Sequence, residues 1–306
     1  MDNLNSYYDP SLKRSRLDLL KTRKNFQFIH QDISNRESFK SVLKGESIDG
    51  VIHLAAQAGV RHSFEHPEEF IPSNLSGFYN AAELAVERQV GHFVFASSSS
   101  VYSGNLQRPY KETNSADHQL SLYAATKKAN EVMAHAIAHI NQMPTTGLRF
   151  FTVYGPWGRP DMSFFQFAER ILAEQPIKLH NHGLMTRDFT YIDDIVSALL
   201  AAYDRPPEVD RNWANSPTPA SSGHAPFRLF NIGSGRPVSL ENYVKAFEHA
   251  IGKPAIREYV DMHPGEAVDT ESDTTVLEAW IGCKPTTPLG DGIAKFVSWY
   301  REFYKV

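Results

Sequence analysis

The sequence predicts an α/β fold built on a doubly wound parallel sheet, and three observations carry that reading. Short apolar runs have strand length and composition: Val51-Ile52-His53-Leu54, His92-Phe93-Val94-Phe95-Ala96 and Gly147-Leu148-Arg149-Phe150-Phe151. Segments of helical period separate them, one from Pro67 to about Glu87 and one from about Ser121 to Ile140. Strands alternating with helices at this spacing form βαβ units, whose sheet is covered on both faces.

Taken in order, Asp9-Pro10 reads as an N-cap and first helical residue, with Leu12, Leu17 and Leu20 on a helical period behind it. Phe26 to His30 reads as a strand, and Ser34-Asn35-Arg36-Glu37 as a capping box opening a short helix. Val51 to Leu54 is expected to be a buried strand. The helix from Pro67 should turn Phe70, Leu75 and Phe78 inward. After Tyr154 a Gly/Pro/Trp loop, Gly155 to Pro160, leads into a helix with Phe164, Phe167, Ile171 and Leu172 on one side. Residues 205–226 are rich in Pro, Ser and Asn and read as a surface insertion. A last amphipathic helix runs from about Asp291 to Tyr304. The division expected is a nucleotide-binding domain over 1–154 and a smaller substrate domain over 155–306, with some later segments returning to the first sheet.

Composition narrows the function. The 306 residues, 42% of them apolar, suffice for one large or two small domains with full cores. Lys+Arg 31 against Asp+Glu 35 gives a formal net charge of -4, which argues against a nucleic-acid binder. The single cysteine, Cys283, excludes a disulfide framework and a Cys-based zinc site. No apolar run reaches the roughly 18 to 20 residues of a membrane span, and no leader pattern opens the chain. A cytoplasmic protein without membrane partners is expected.

The sharpest chemical signal is Tyr123-Ala-Ala-Thr-Lys127 on a helix, about 25 residues after Ser97-Ser98-Ser99-Ser100 at a strand end. Tyr and Lys at i and i+4 share one helical face. A nearby ammonium favours the phenolate and draws the tyrosine toward a general-base role on a hydroxyl. The ends of strands in an open α/β sheet present residues to the ligand crevice, which is where the serines fall. The bland reading is an ordinary amphipathic helix, since a lone Tyr-x-x-x-Lys arises by chance.

The serine run through Tyr102 together with Tyr123 and Lys127 resembles the extended short-chain dehydrogenase/reductase family of nucleotide-sugar epimerases and dehydratases. Further stretches add to it: Asp2-Asn-Leu-Asn5 with Tyr7 to Pro10, His53 to Arg61, Arg149 to Asp161 and Arg187 to Asp194. As a set they are most similar to UDP-glucuronate 4-epimerases, over essentially the whole chain. The resemblance implies NAD as cofactor. It would place Asp2 and Asn5 at the adenosine ribose, Asp32 and Ile33 at the adenine, and Leu54, Ala55, Ala56 and Gln57 beside the pyrophosphate. Asn74 would lie on the following helix, and Tyr123 and Lys127 at the nicotinamide ribose.

The activity implied is C4 epimerisation of a UDP-sugar, UDP-glucuronate to UDP-galacturonate, through a transient 4-keto sugar. Tyr123 would take the C4 hydroxyl proton while Ser98 or Ser100 holds that hydroxyl. Ser99, Ser100 and Thr152 are candidates to hold the sugar carboxylate. Arg159 and Arg187 are candidates for the anionic parts of the substrate, since a guanidinium pairs two donors with carboxylate or phosphate oxygens. His263-Pro-Gly-Glu266 matches a motif that ends in Asp in the family and contacts the uridine ribose; Glu266 is one methylene longer. The remaining histidines show no metal-ligand spacing with Cys or carboxylates, so no metal is expected. A homodimer is implied, through the helices at Pro67 to Glu87 and Ser121 to Ile140.

Two departures accompany the resemblance. The glycine turn of the form G-x-x-G-x-x-G is absent, and residue 1 matches the end of the family's second strand, roughly 25 to 30 residues into such a unit. The expectation is therefore that Met1 is not the natural start or that the chain is inactive, and that sheet backbone is left unpaired. Tyr102-Ser103 also stands where the family has Tyr-Gly. The rivals are a non-catalytic binding or regulatory relative and an epimerase of neutral UDP-hexoses. A 4,6-dehydratase or a decarboxylase would need a carboxylate in the serine run, which has none.

Overall fold

The computed structural model describes residues 1–306. Helix α1 (Pro10–Lys21) starts at Asp9, whose side chain accepts from the Ser11 amide. Helix α2 (Arg36–Val42) follows, and then β1 (Gly50–His53), α3 (His62–Glu65), α4 (Gly77–Glu87), β2 (His92–Ser98), α5 (Leu122–Asn141) and β3 (Thr145–Phe150). Strand β2 pairs in parallel with β1 on one side and β3 on the other. The chain returns much later with β7 (Phe227–Ile232), after β4 (Thr152–Tyr154), α6 (Ser163–Leu172), β5 (Ile177–His180), β6 (Thr186–Tyr191) and α7 (Ile192–Tyr203). Strand β7 lies parallel to β3 and completes a four-stranded sheet of order β1-β2-β3-β7. This is the expected parallel sheet flanked by helices.

Both faces of the sheet are covered at its inner strands, which is why those strands read as continuous apolar runs. Phe93 and Phe95 point into a cluster with Phe78, Ala134 and Ala138 of α4 and α5. Val94 and Leu148 point the other way, against Ile195, Leu199 and Leu277. The chain ends with β8 (Pro237–Ser239), α8 (Leu240–Ile251), β9 (Arg257–Val260), α9 (Thr275–Ile281) and α10 (Leu289–Tyr304). A second core forms around α6, α8 and α10, from Phe164, Phe167, Phe247, Phe296 and Tyr300, and Leu12 of α1 belongs to it. Two small sheets frame this core, β4-β6-β8 and β5-β9.

Five local expectations are corrected. Phe26 to His30 forms no strand: only Asp2 and His30 bridge, through Asp2 N to Ile29 O and Gln31 N to Asp2 O, too few bonds for a ladder. The cap of α2 is Asn35, accepting from Ser38 N, because the Ser34 hydroxyl donates to Asp32 instead. Strand β1 is not buried. It pairs only with β2, and Leu54 just after it is 54% exposed.

The helix from Pro67 is broken into a short tight turn (Pro67–Glu69), a widened turn (Ile71–Ser76) and α4. Pro72 has no amide hydrogen to give, and the Gly77 amide bonds back to the Pro72 carbonyl, so the coil opens by one residue. Phe70 and Phe78 are nonetheless buried as expected. The stretch 205–226 carries only one short turn, Trp213–Asn215, but its end is not a free surface loop. Ser222, Ala225 and their neighbours are buried, with His135 of α5 bonded to the Ser222 hydroxyl at 2.9 Å.

Candidate active site

Strand β2 ends at Ser98, and the chain turns at once into a tight helical turn over Ser99–Tyr102 whose cap is the Ser98 hydroxyl, accepting from Ser100 N at 3.1 Å. Helix α5 is capped by Ser121, so Tyr123 and Lys127 sit in its first two turns, facing that strand end. The Lys127 ammonium donates to the Ala96 carbonyl at 2.9 Å and is buried, which pushes it down to about 8. Tyr123 is pushed up by burial, with the Ser98 hydroxyl and then the Arg159 guanidinium pulling it back and Asp161 raising it. Sequence spacing led us to expect Lys127 to depress the tyrosine. In this structure the ammonium is engaged by backbone, and the groups that favour the phenolate are Ser98 and Arg159.

Below this pair lies a buried polar network. Ser97 donates to Glu131 at 2.6 Å, and Glu131 receives Arg149 through two bonds, at 2.7 and 2.8 Å. Arg149 also donates to the Tyr102 hydroxyl, which donates to Asn231. Helix α5 is thus locked to β2 and β3 one turn past Lys127. Sequence reasoning missed Glu131, although its place four residues after Lys127 put it on the same helical face.

A cleft opens beside the strand ends, lined by Asp2, Asn5, Lys13, Asp32, Ile33, Leu54, Ala55, Ala56, Gln57 and Arg159 among others. Asp32 is held by Asn3 and Ser34, which keep its carboxyl below the ordinary range against the effect of burial. Lys13, also unforeseen, bonds the Asn5 carbonyl and side chain from within the cleft wall. Asn74 is the exception among the residues expected there. Its amide is buried and bridges the Gln57 backbone and the Thr126 hydroxyl, so it braces the Ala55–Gln57 loop to α5.

On the opposite wall, Gly155 takes a φ of +144° and Ile192 leaves no room for a Cβ there, which turns the chain so that Arg159 faces the cleft. Arg159 pairs with Asp161 at 3.2 Å, and Asp161 accepts from Tyr7 at 3.1 Å. Thr152 begins β4, half-buried, and Ser99 and Ser100 are half-buried at the turn.

Arg187 on β6 donates to the Val268 carbonyl and lies 3.9 Å from Glu266; burial lowers its affinity for the proton, and Glu266 and Asp269 offset only part of that. Glu266 also takes Arg61 at 2.6 Å, so one carboxylate holds two guanidinium groups. The structure therefore brings together a tyrosine, a buried lysine and serines at one strand end, a carboxylate-lined cleft beside them, and Arg159 on that cleft's wall, whereas Arg187 lies with Glu266 and Arg61 outside the cleft's lining. Such an arrangement can move a proton on a bound hydroxyl while holding an anionic ligand.

The NAD dependent epimerase/dehydratase family matches residues 5–214 of the chain. Protein CapI of Staphylococcus aureus is 44% identical over 305 residues, spanning 100% of this chain and 91% of that protein. A probable UDP-glucuronate 4-epimerase of Rhizobium meliloti is 42% identical over 305 residues, 99% of this chain and 89% of the relative. The crystal structure of a UDP-glucuronic acid 4-epimerase from Bacillus cereus, in complex with UDP-glucuronic acid and NAD, superposes with a TM-score of 0.85. Its identity is 28%, with 99% of this chain and 90% of that one covered.

Proposed function

The chain belongs to the NAD dependent epimerase/dehydratase family, and from that premise we propose that it is an NAD-dependent epimerase inverting C4 of a UDP-sugar, UDP-glucuronate to UDP-galacturonate. The observation that carries the proposal is the convergence of Tyr123, Ser98 and Lys127 at one strand end, with Arg159 opposite. The names of the relatives support the choice of UDP-glucuronate.

Asp2 and Asp32 line the cleft with carboxylates that suit ribose hydroxyls and adenine, and Lys127 with Tyr123, at the neighbouring strand end, would suit the second ribose. Between them the loop Leu54 to Gln57 would lie beside the pyrophosphate, held in place by Asn74. When bound, NAD supplies the acceptor and donor of hydride, so the reaction needs no second redox partner.

The chain's own groups handle protons and position. The Tyr123 phenolate takes the proton of the C4 hydroxyl, becoming the phenol, and later returns that proton to the C4 oxygen, on either face of the sugar. Ser98 holds the same oxygen and, with Arg159, favours the phenolate that burial disfavours. Arg159 and Arg187 hold the substrate's anionic groups. The half-buried hydroxyls of Ser99, Ser100 and Thr152 suit the sugar carboxylate, which they bind without drawing charge out of it.

We further infer a cytoplasmic homodimer, supported by Tyr79 of α4 and Val132 of α5, which leave apolar surface exposed; no helix is long and apolar enough to cross a membrane. The test of function is chromatography of the nucleotide-sugar product after incubation with UDP-glucuronate and NAD. UDP-galacturonate should form, and its absence from a folded preparation that binds NAD would overturn the substrate assignment.

A further inference from the structure

We propose that His62, Glu65 and His66 form a binding site for one zinc-class divalent cation on the rim of the cleft. The local fold sets it up. Helix α3 is a single turn, and the His66 amide bonds the His62 carbonyl at 2.8 Å, so residues 62 and 66 stack on one side. Pro67 disfavours helical geometry for the residue before it, and His66 leaves the helix with φ -133° and ψ 59°. The two rings end with centroids 4.6 Å apart. One ligand atom from each of His62, Glu65 and His66 lies within 4.8 Å of the others.

Closing that set to metal–ligand lengths of about 2.0 to 2.2 Å needs only rotation of Glu65 and His66, which are exposed. His62 is the fixed member: its ring packs on Tyr7 at 4.6 Å and near Phe70 at 5.9 Å. A further carboxylate, Glu69, stands 2.8 Å from His62 and can orient the ring or join the set. Two imidazoles with carboxylate oxygen select zinc, cobalt or nickel over magnesium and calcium, which prefer oxygen throughout. The sequence led us to expect no metal, since the histidines show no evident ligand spacing with Cys or carboxylates; here one helical turn and one proline bring His62, Glu65 and His66 together.

The site is independent of the proposed reaction, since none of its ligands is assigned to substrate or cofactor. The test is calorimetric titration of the untagged, chelator-dialysed full chain with zinc chloride, beside His66→Asn, Glu65→Gln and the control His182→Asn. Both substituted ligands are exposed, so the variants should fold and melt like the parent in chelator. One zinc per chain is expected at micromolar metal. Affinity should fall more than about tenfold in each ligand variant, since removing a mere supporting group already costs about that much. The control should be unchanged, and zinc should raise the melting temperature of the parent and the control but not of the two ligand variants. Absence of saturable binding, or binding that survives either ligand substitution, overturns the proposal.

Discussion

Arg149 and Glu131 form a two-bonded ion pair, Nε to Oε1 at 2.7 Å and Nη2 to Oε2 at 2.8 Å, with both side chains almost wholly out of water. The pair joins β3 to α5 directly beneath the strand end that carries Ser98, so it fixes the depth at which Tyr123 and Lys127 stand against the serines.

Removing one partner should leave an uncompensated buried charge. Glu131→Gln is expected to lose about 3 to 5 kcal/mol of stability. Denaturant unfolding checks it, through a lowered midpoint at unchanged slope. The double substitution Glu131→Leu with Arg149→Met should lose less than Glu131→Gln alone.

Lys127 gives a stability signature in alkali. Its ordinary value of 10.5 is lowered to about 8 by burial in the fold. Between those values the unfolded chain holds a proton that the folded chain does not, so stability rises with pH, at up to roughly 1.4 kcal/mol per unit. Below about pH 8 the cost of the buried ammonium is fully present. Urea midpoints measured across that window should climb in the parent and flatten in Lys127→Met.

His53 gives the acid counterpart. Burial first, and the Lys127 charge second, lower it from 6.5 to about 3. As pH falls through that window the unfolded chain gains a proton the folded chain refuses, and stability drops by up to roughly 1.4 kcal/mol per unit. His53→Phe should unfold less steeply with acid than the parent.

Asn74 should matter for the loop it braces. Asn74→Ala removes the donor to the Gln57 carbonyl, at about 1 to 3 kcal/mol, and leaves the Gln57 amide to Ser73 alone. Weaker NAD binding, measured by titration, should accompany the loss, since the Ala55–Gln57 loop is then free to move.

The sheet and its helices were legible because each central strand is buried on both faces and each long helix has one apolar side. Phe93, Phe95 and Val94 state that arrangement in three residues. What was not legible depended on partners. Phe26 to His30 has strand composition but meets only Asp2, and a strand exists only where a ladder does. Pro72 was visible as a proline, though not the widened turn that it sits in between Phe70 and Phe78.

At the site, Tyr123, Lys127 and the serines stood out by spacing, whereas their electrostatics did not. That Lys127 bonds the Ala96 carbonyl while Arg159 reaches Tyr123 across a gap in sequence is set by packing alone. The bonds by which Asn74 braces the Gln57 backbone were not legible either, because hydrogen-bond partners at such distance in sequence leave no periodic trace.

The central claim is inversion at C4 by hydride removal and return, with Tyr123 moving only the hydroxyl proton. The most direct test is incubation of UDP-glucuronate deuterated at C4 with the protein and unlabelled NAD in ordinary water, followed by mass spectrometry of the UDP-galacturonate. The account predicts that deuterium stays at C4 of the product and that Tyr123→Phe forms little of it. Deuterium lost to water, or product formed in deuterated water with label at C5, would contradict it.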